Sequence, residues 1–211
     1  NSDTENDNIA IGHQAMNTNT AGGQFNTAIG NYAADALTSG DNNVVIGHNV
    51  ASNLTTGGNN VAMGMDALLA TTTQSNNTAI GYQALRANTA TANTAVGYNA
   101  LLLNSTGTDN VAVGYEALDA QTTGGYNTAI GRSALSANTT GTKNVAVGGY
   151  ALLAHTTGNQ NVAVGYNALL ANTTAANNVA VGFEALHTIS TTGNCVAIGV
   201  SALSLNVTAE N

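Results

Sequence analysis

One dipeptide, Ile/Val/Met-Gly, recurs along the whole chain and limits the folds open to it. Its first residue falls at Ile11, Ile29, Ile46, Met63, Ile80, Val96, Val113, Ile130, Val147, Val164, Val181 and Ile198, with spacings of 18, 17, 17, 17, 16 and then 17 six times. A fixed period of about 17 residues, repeated twelve times, is the signature of a stacked repeat architecture. One copy is too short to bury a hydrophobic face alone, so neighbours must cover one another. Leucine-rich and other strand–helix repeats use 20 or more residues, and a single helical turn does not stand alone. The period therefore predicts an all-β solenoid (β-roll) of twelve coils, one per repeat. At about 4.8 Å per coil, eleven steps make a rod of roughly 53 Å. The insertion and the deletion fall between positions +6 and −4, where a loop can absorb them.

Numbering each copy from its anchor as position 0 exposes the columns. Gly occupies +1 in all twelve copies, Ala −1 in eleven (Val45 excepted), Asn −3 in eleven (Cys195 excepted) and Ala +4 in eleven (Val50 excepted). Leu occupies +5 in nine and Thr or Ser +9 in eleven, with Val207 the exception. Positions +3, +6 and +8 vary and are mostly polar. The −3 to 0 segment alternates with period 2 and is rich in β-branched residues, which predicts a short strand. Gly at +1 permits a bend, Ala +4 and Leu +5 turn inward through a tight turn or second strand, and Thr-Thr-Gly supplies closing turn chemistry. We expect the aliphatic −2/0 face to fill the coil interior. The −3/−1 face of Asn and Ala should then meet another β layer, because small residues allow close approach.

Composition narrows the classes further. Three basic residues (Arg86, Arg132, Lys143) stand against eleven acidic ones, for a net charge of −8. There is no basic surface to neutralise phosphates, which speaks against nucleic-acid binding. No apolar run approaches the ~20 residues of a membrane-spanning helix. The lone cysteine cannot form an intrachain disulfide. Charged residues are only 7% of the chain, well under the ~25% of an ordinary soluble domain. Such a chain must hide its backbone in ordered ladders or join a larger assembly. Residues 1–7 read as an acidic lead-in carrying Asp3, Glu5 and Asp7, and residues 8–211 as one repetitive rod. Neither end of the sequence supplies an obvious cap, which predicts either a segment of a longer fibre or end-to-end stacking.

The units Asn77-Thr78-Ala79-Ile80-Gly81-Tyr82-Gln83-Ala84-Leu85 and Asn161-Val162-Ala163-Val164-Gly165-Tyr166-Asn167-Ala168-Leu169 resemble the head repeats of trimeric autotransporter adhesins. They also resemble repeats of phage tail fibres and tailspikes. The resemblance rests on one short motif per coil along the whole chain, and the 17-residue coil is longer than the roughly 14 residues usual in those families. It implies a β-roll that assembles as a homotrimer, and a location outside the cell, on a cell surface or a virion.

Residues able to carry chemistry are scattered. The four His stand at +2 (His13, His48), +8 (His155) and +6 (His187), so no two share a column in adjacent coils and no metal cluster is implied. They read as exposed and inert. Glu116 and Glu184 share the +3 column four coils apart, roughly 19 Å by stacking, beyond the ~5–9.5 Å of a glycosidase pair. Asp66 and Glu116 lie three coils apart, and no base column flanks the abundant Ser and Thr. No cofactor or catalytic residue is expected. The Asn column (Asn77, Asn93, Asn110, Asn127, Asn144, Asn161, Asn178) reads as a structural ladder of stacked amides. Cys195 interrupts that ladder as a buried thiol, with an interchain disulfide as the sharper alternative. The aromatic column at +2 (Tyr82, Tyr98, Tyr115, Tyr166, Phe183) covers the coil edge or forms a binding stripe for a surface glycan or other partner. Asn-x-Thr sequons at Asn53, Asn76, Asn138 and Asn172 follow from the turn formula.

These observations point to a non-enzymatic extracellular fibrous protein: a phage tail fibre, a surface adhesin or a self-assembling filament whose first partner is itself. A glycan-binding or glycan-processing tailspike is the alternative, although processing would need a carboxylate pair. An ice-binding solenoid is a further one, but the Thr residues at +9 and +10 are adjacent and Thr at −2 appears in only four copies.

Overall fold

The computed structural model describes residues 7–18 and 22–205. Of the expected acidic lead-in only Asp7 is among them, and Val207 lies outside them. The fold is an all-β solenoid with one three-residue strand per repeat: β1 (Ile9–Ile11), β2 (Thr27–Ile29), β3 (Val44–Ile46), β4 (Val61–Met63), β5 (Thr78–Ile80), β6 (Thr94–Val96), β7 (Val111–Val113), β8 (Thr128–Ile130), β9 (Val145–Val147), β10 (Val162–Val164), β11 (Val179–Val181) and β12 (Val196–Ile198). The chain forms two compact units, Asn1–Thr106 and Gly107–Asn211. In the first, β1 to β6 pair in order and in parallel; in the second, β7 to β12 do the same. Equivalent columns meet across each pair, as in Ala146↔Ala163 and Val147↔Val164. Among the described residues each coil has one strand, and the remainder of its perimeter is turn.

The ladder continues round the turns. The +5 amide donates to the next coil's +4 carbonyl at 3.0 Å, as from Leu118 to Ala134, Leu135 to Ala151 and Leu152 to Ala168. The +3 amide donates back to the preceding +2 carbonyl, as from Glu184 to Tyr166 at 2.9 Å. Along the +9 column Thr122, Thr139, Thr156 and Thr173 each donate a hydroxyl to the next coil's carbonyl at 3.0–3.2 Å. Backbone groups that cannot reach water are thereby satisfied by neighbours, which is how a chain with so little charge stays ordered.

Four columns take positive-φ backbone. Gly at +1 has φ near +135°, as in Gly148 (+134°), and a Cβ there would stand 2.5 Å from the Gly165 carbonyl oxygen. Glycine is required for both reasons. Positions −4, +3 and +5 also have positive φ, at 42–63°. At −4 seven of twelve residues are Asn or Asp, the non-glycine types that tolerate this region best. At +5 the residue is usually Leu, with φ of 51–56°. That conformation costs on the order of 1 kcal/mol, and complete burial of the side chain, worth about 1.5–3 kcal/mol, offsets it.

The strand faces are the reverse of the sequence expectation. From β2 to β12 the −1 residue is buried in every strand, while −2 and 0 are half-buried or exposed. Ala112, Ala146 and Ala163 have no exposed surface, and the Asn column lies beside them inside the coil. Val and Ile face out. A coil of 17 residues has a narrow lumen: where Leu at +5 fills one side the strand side holds Ala, and the one buried Val there, Val45, stands in a coil whose +5 residue is Ala51. The Asn amides are needed within to tie the coil shut. β-branched residues suit the outer pleated surface equally well. The Ala face is therefore not a contact surface for another chain.

Candidate interaction surface

The interior contains two columns that carry polar side chains. In the first, each Asn side chain makes contacts in two directions. Asn144 Oδ1 accepts from the Asn161 backbone amide (2.9 Å) and from Asn161 Nδ2 (3.1 Å). Asn144 Nδ2 donates to Asn127 Oδ1 (3.2 Å) and to the Gly158 carbonyl of its own coil (3.0 Å). Asn127 and Asn161 repeat the pattern, and in the first unit Asn43 and Asn60 do so too. Asn77, Asn93, Asn110 and Asn178 are equally buried: Asn77 Nδ2 bonds the Ala90 carbonyl, Asn93 N–H bonds Asn77 Oδ1, Asn110 Nδ2 bonds the Gly124 carbonyl and Asn178 N–H bonds Asn161 Oδ1. The carbonyl reached lies fourteen residues ahead in most coils, so each amide clips the two ends of one coil while stacking on its neighbours. Cys195 takes this column's last place as a buried free thiol. Its amide still bonds Asn178 Oδ1 at 2.9 Å, and its Sγ lies 3.6 Å from the Gly193 carbonyl.

The second interior column, at +8, was read from sequence as variable and polar, with its His exposed. It is buried, His155 included. Leu37 and Leu54 occupy it in the second and third coils. Thr71, Asn88 and Asn104 follow in the first unit, and Gln121, Asn138, His155, Asn172 and Ile189 in the second. Thr71 Oγ1 donates to the Asn88 carbonyl at 2.9 Å, Asn104 Nδ2 to Asn88 Oδ1 at 2.8 Å, and Gln121 Nε2 to the Gly124 carbonyl. His155 has Nδ1 2.9 Å from Asn172 Oδ1 and Nε2 2.8 Å from the Gly158 carbonyl. A neutral ring satisfies both contacts when Nε2–H donates to Gly158 and Nδ1 accepts from the Asn172 amide turned over. The turned amide also gives Asn172 Nδ2, otherwise without a partner, a place to donate. The sequence signal was present: +8 is Leu in the two coils where +5 is Ala.

The outer surface is where partners can be met. Its floor is the −2/0 face. All twelve −2 residues are β-branched and eleven of twelve residues at 0 are, Met63 being the exception; none is charged. Six strands of three residues cover roughly 300 Å² per unit, a size at which an apolar patch on a soluble protein is worth a functional reading. Past the Gly bend the +2 column forms a rim. Tyr82, Tyr98, Tyr115, Tyr166 and Phe183 are all exposed, between 39% and 48%. The rings engage each other along the column. Tyr82 and Tyr98 stack with centroids 5.2 Å apart and planes 12° apart, and Tyr166 and Phe183 at 6.0 Å and 9°. Stacked pairs use part of their faces on each other and present edges outward.

Sequence reasoning left out three members of this rim. Tyr32, at +3, packs edge-on between His13 (5.4 Å) and His48 (5.9 Å). Tyr150, also at +3, meets Tyr166 edge-on at 5.6 Å. Arg132 replaces the aromatic at +2, with its guanidinium carbon 5.3 Å from the centre of the Tyr115 ring and 5.8 Å from that of Tyr150. The order Gly149-Tyr150, against the usual Tyr-polar, marked this coil in the sequence.

Glu116 and Glu184 stay on their separate coils. Glu116 does face Asp119 on its own coil: burial, with a smaller contribution from the Glu116 charge, pushes the Asp119 carboxyl up to about 6. Among the described residues no group of three His, Cys, Asp or Glu could hold a metal ion, and no helix is long and apolar enough to cross a membrane. No protein-family model, curated protein or solved structure matches the chain.

Proposed function

We propose that this chain is a non-enzymatic, extracellular fibrous structural protein of the tail-fibre or surface-adhesin kind. Its coils assemble with sister chains, three together, through the outward Val/Ile/Thr face. The observation that carries the reading is that face: regular, uncharged and half-exposed on strands whose inner side is already full. Water-facing strands usually mix in Lys and Glu. A face without charge, whose 0 column is apolar in all twelve copies, is what a dry interface between β layers requires. The interior ladders support a structural role too, because they spend the chain's polar groups on stacking rather than on a reactive cleft.

Light scattering on the eluting protein tests this. The parent should have the mass of three chains. Val113→Lys, Val147→Lys and Val164→Lys together should reduce it to one chain with an unchanged far-ultraviolet spectrum, because these side chains point away from the core. A monomeric parent, or a triple variant that keeps the multichain mass, overturns the proposal. A second reading, glycan binding along the +2 rim, is favoured by the exposed aromatic residues of each unit beside that face.

A further inference from the structure

Arg132 is one of three cations in a chain of net charge −8. It sits in the only rim position where the usual aromatic gives way to a charge. Its neighbours above and below are Tyr115 and Tyr150, 5.3 and 5.8 Å from the guanidinium carbon, both within cation–π range. Tyr150 leans edge-on against Tyr166, which stacks on Phe183, so the cluster runs unbroken over five coils of the second unit. Two features make Arg132 more than a solvated surface cation. Rings on both sides restrict a side chain that would otherwise lose considerable rotamer entropy on binding. The rings hold the guanidinium through their π systems without using its N–H donors as a carboxylate would, and so leave those donors to an oncoming acceptor. No carboxylate among the described residues pairs with it, and the side chain is exposed.

We infer that Arg132, held between Tyr115 and Tyr150, is a binding subsite for the carboxylate of an acidic sugar in a surface polysaccharide. The inference rests on the glycan-binding reading of the rim. A planar guanidinium with free in-plane donors matches a carboxylate through two parallel hydrogen bonds. The flanking phenol hydroxyls can donate to or accept from sugar hydroxyls, and the exposed edges of Tyr166 and Phe183 offer apolar contact for ring C–H groups. A sugar acid uses all three, whereas an acidic peptide uses only the first. The arrangement needs no metal and no reaction step.

Isothermal titration of the whole protein with oligogalacturonate, neutral oligogalactan and polyglutamate tests the inference. Oligogalacturonate should bind at least tenfold more tightly than the neutral oligomer. Arg132→Gln should bring the two together, and Arg132→Lys should retain only part of the difference. Arg86→Gln, an exposed cation off the rim, should match the parent. Since Arg132 is exposed, the fold should survive the change, and circular dichroism checks this. Equal uronate affinity in parent and Arg132→Gln overturns the subsite, and so does polyglutamate binding as well as oligogalacturonate. Absence of binding to either sugar overturns the glycan-binding reading beneath it, and the subsite with it.

Discussion

The second and third coils fill their interiors differently from the coils of the Gly107–Asn211 unit. In the early coils +5 is Ala and +8 is Leu: Ala34 with Leu37, Ala51 with Leu54. In four coils of the later unit +5 is Leu and +8 is polar: Leu118 with Gln121, Leu135 with Asn138, Leu152 with His155, Leu169 with Asn172; the next coil carries two aliphatic residues, Leu186 and Ile189. All of these side chains are buried. A large aliphatic group thus enters the lumen from +5, from +8 or, with Leu186 and Ile189, from both, while the 17-residue period and Gly at +1 stay constant. Backbone ladders and amide clips set the coil, and the filling of the interior varies within them. The later coils accept polar groups at +8 because each has a carbonyl or amide of its own or the next coil within reach, as His155 has Gly158 and Asn172. A buried polar group without such a partner would cost ~1–3 kcal/mol.

The constant part of this comparison should break hardest. Ala112→Gln, Ala146→Gln and Ala163→Gln together force three large polar side chains into the full strand side of the lumen. Overpacking alone costs ~1–3 kcal/mol per site, and each buried amide adds to it. The second unit should lose its cooperative thermal transition under conditions where the Lys variants on the outer face keep theirs. A triple Gln variant that melts like the parent would return the Ala columns to the outside.

This reversal marks the limit of what the sequence could tell. The period, strand positions, Gly bend and inward Leu followed from spacing and residue type, because each is dictated locally. Which strand face points inward is not local. Val113 and Ala112 were assigned by the habit that the more apolar residue goes in, but that habit holds only when the interior has room. Here the cross-section of a 17-residue coil selects for volume instead. Asn144 and its column showed as a repeat but not as a clip, since the carbonyl it reaches, Gly158, lies fourteen residues ahead. His155 was read as exposed because +8 looked variable, yet +8 is Leu in the two coils where +5 is Ala. The aromatic rim was legible as a column of exposed rings. Arg132 lay outside it as a residue type, although it shares its geometry.

The exchange between +5 and +8 can be tested directly in the fourth coil, where Leu68 pairs with Thr71 next to the Leu37–Leu54 column. Leu68→Ala alone should cost about 2–5 kcal/mol, as a buried Leu truncation does. Thr71→Leu alone adds bulk beside Leu68 and removes the hydroxyl that bonds the Asn88 carbonyl, so it should also destabilise. Combined, they recreate the Ala/Leu arrangement of the preceding coil and extend its column by one. The double variant should recover at least half the loss, with a coupling energy of about 1–2 kcal/mol measured as a double-mutant cycle in urea. Full recovery is not expected, because Thr71 Oγ1 donates to the Asn88 carbonyl at 2.9 Å and that acceptor would lose a partner. Strictly additive effects would mean that the two positions do not share one volume.

The smallest effect concerns a charge that the later unit holds at its edge. Burial, then the neighbouring Glu116, raises the Asp119 carboxyl from 3.8 to about 6. A carboxyl whose folded value lies above its unfolded one binds its proton more tightly when folded. Its stabilising contribution is thus complete below about pH 4 and is lost as pH rises through about 6. At pH 7 the ionised group opposes the fold. In a dry site the difference would approach ~3 kcal/mol, but Asp119 is only partly buried and water reduces the figure to about 1 kcal/mol. Asp119→Asn should therefore raise the melting temperature at pH 7.5 by a few degrees and leave it close to the parent's at pH 4.5. The parent-minus-variant difference isolates this group from the general relief of a −8 chain on acidification. Equal gains at both pH values would show that the benefit is packing of the amide, and no gain at pH 7.5 would show that the ionised carboxyl is well solvated at the coil edge.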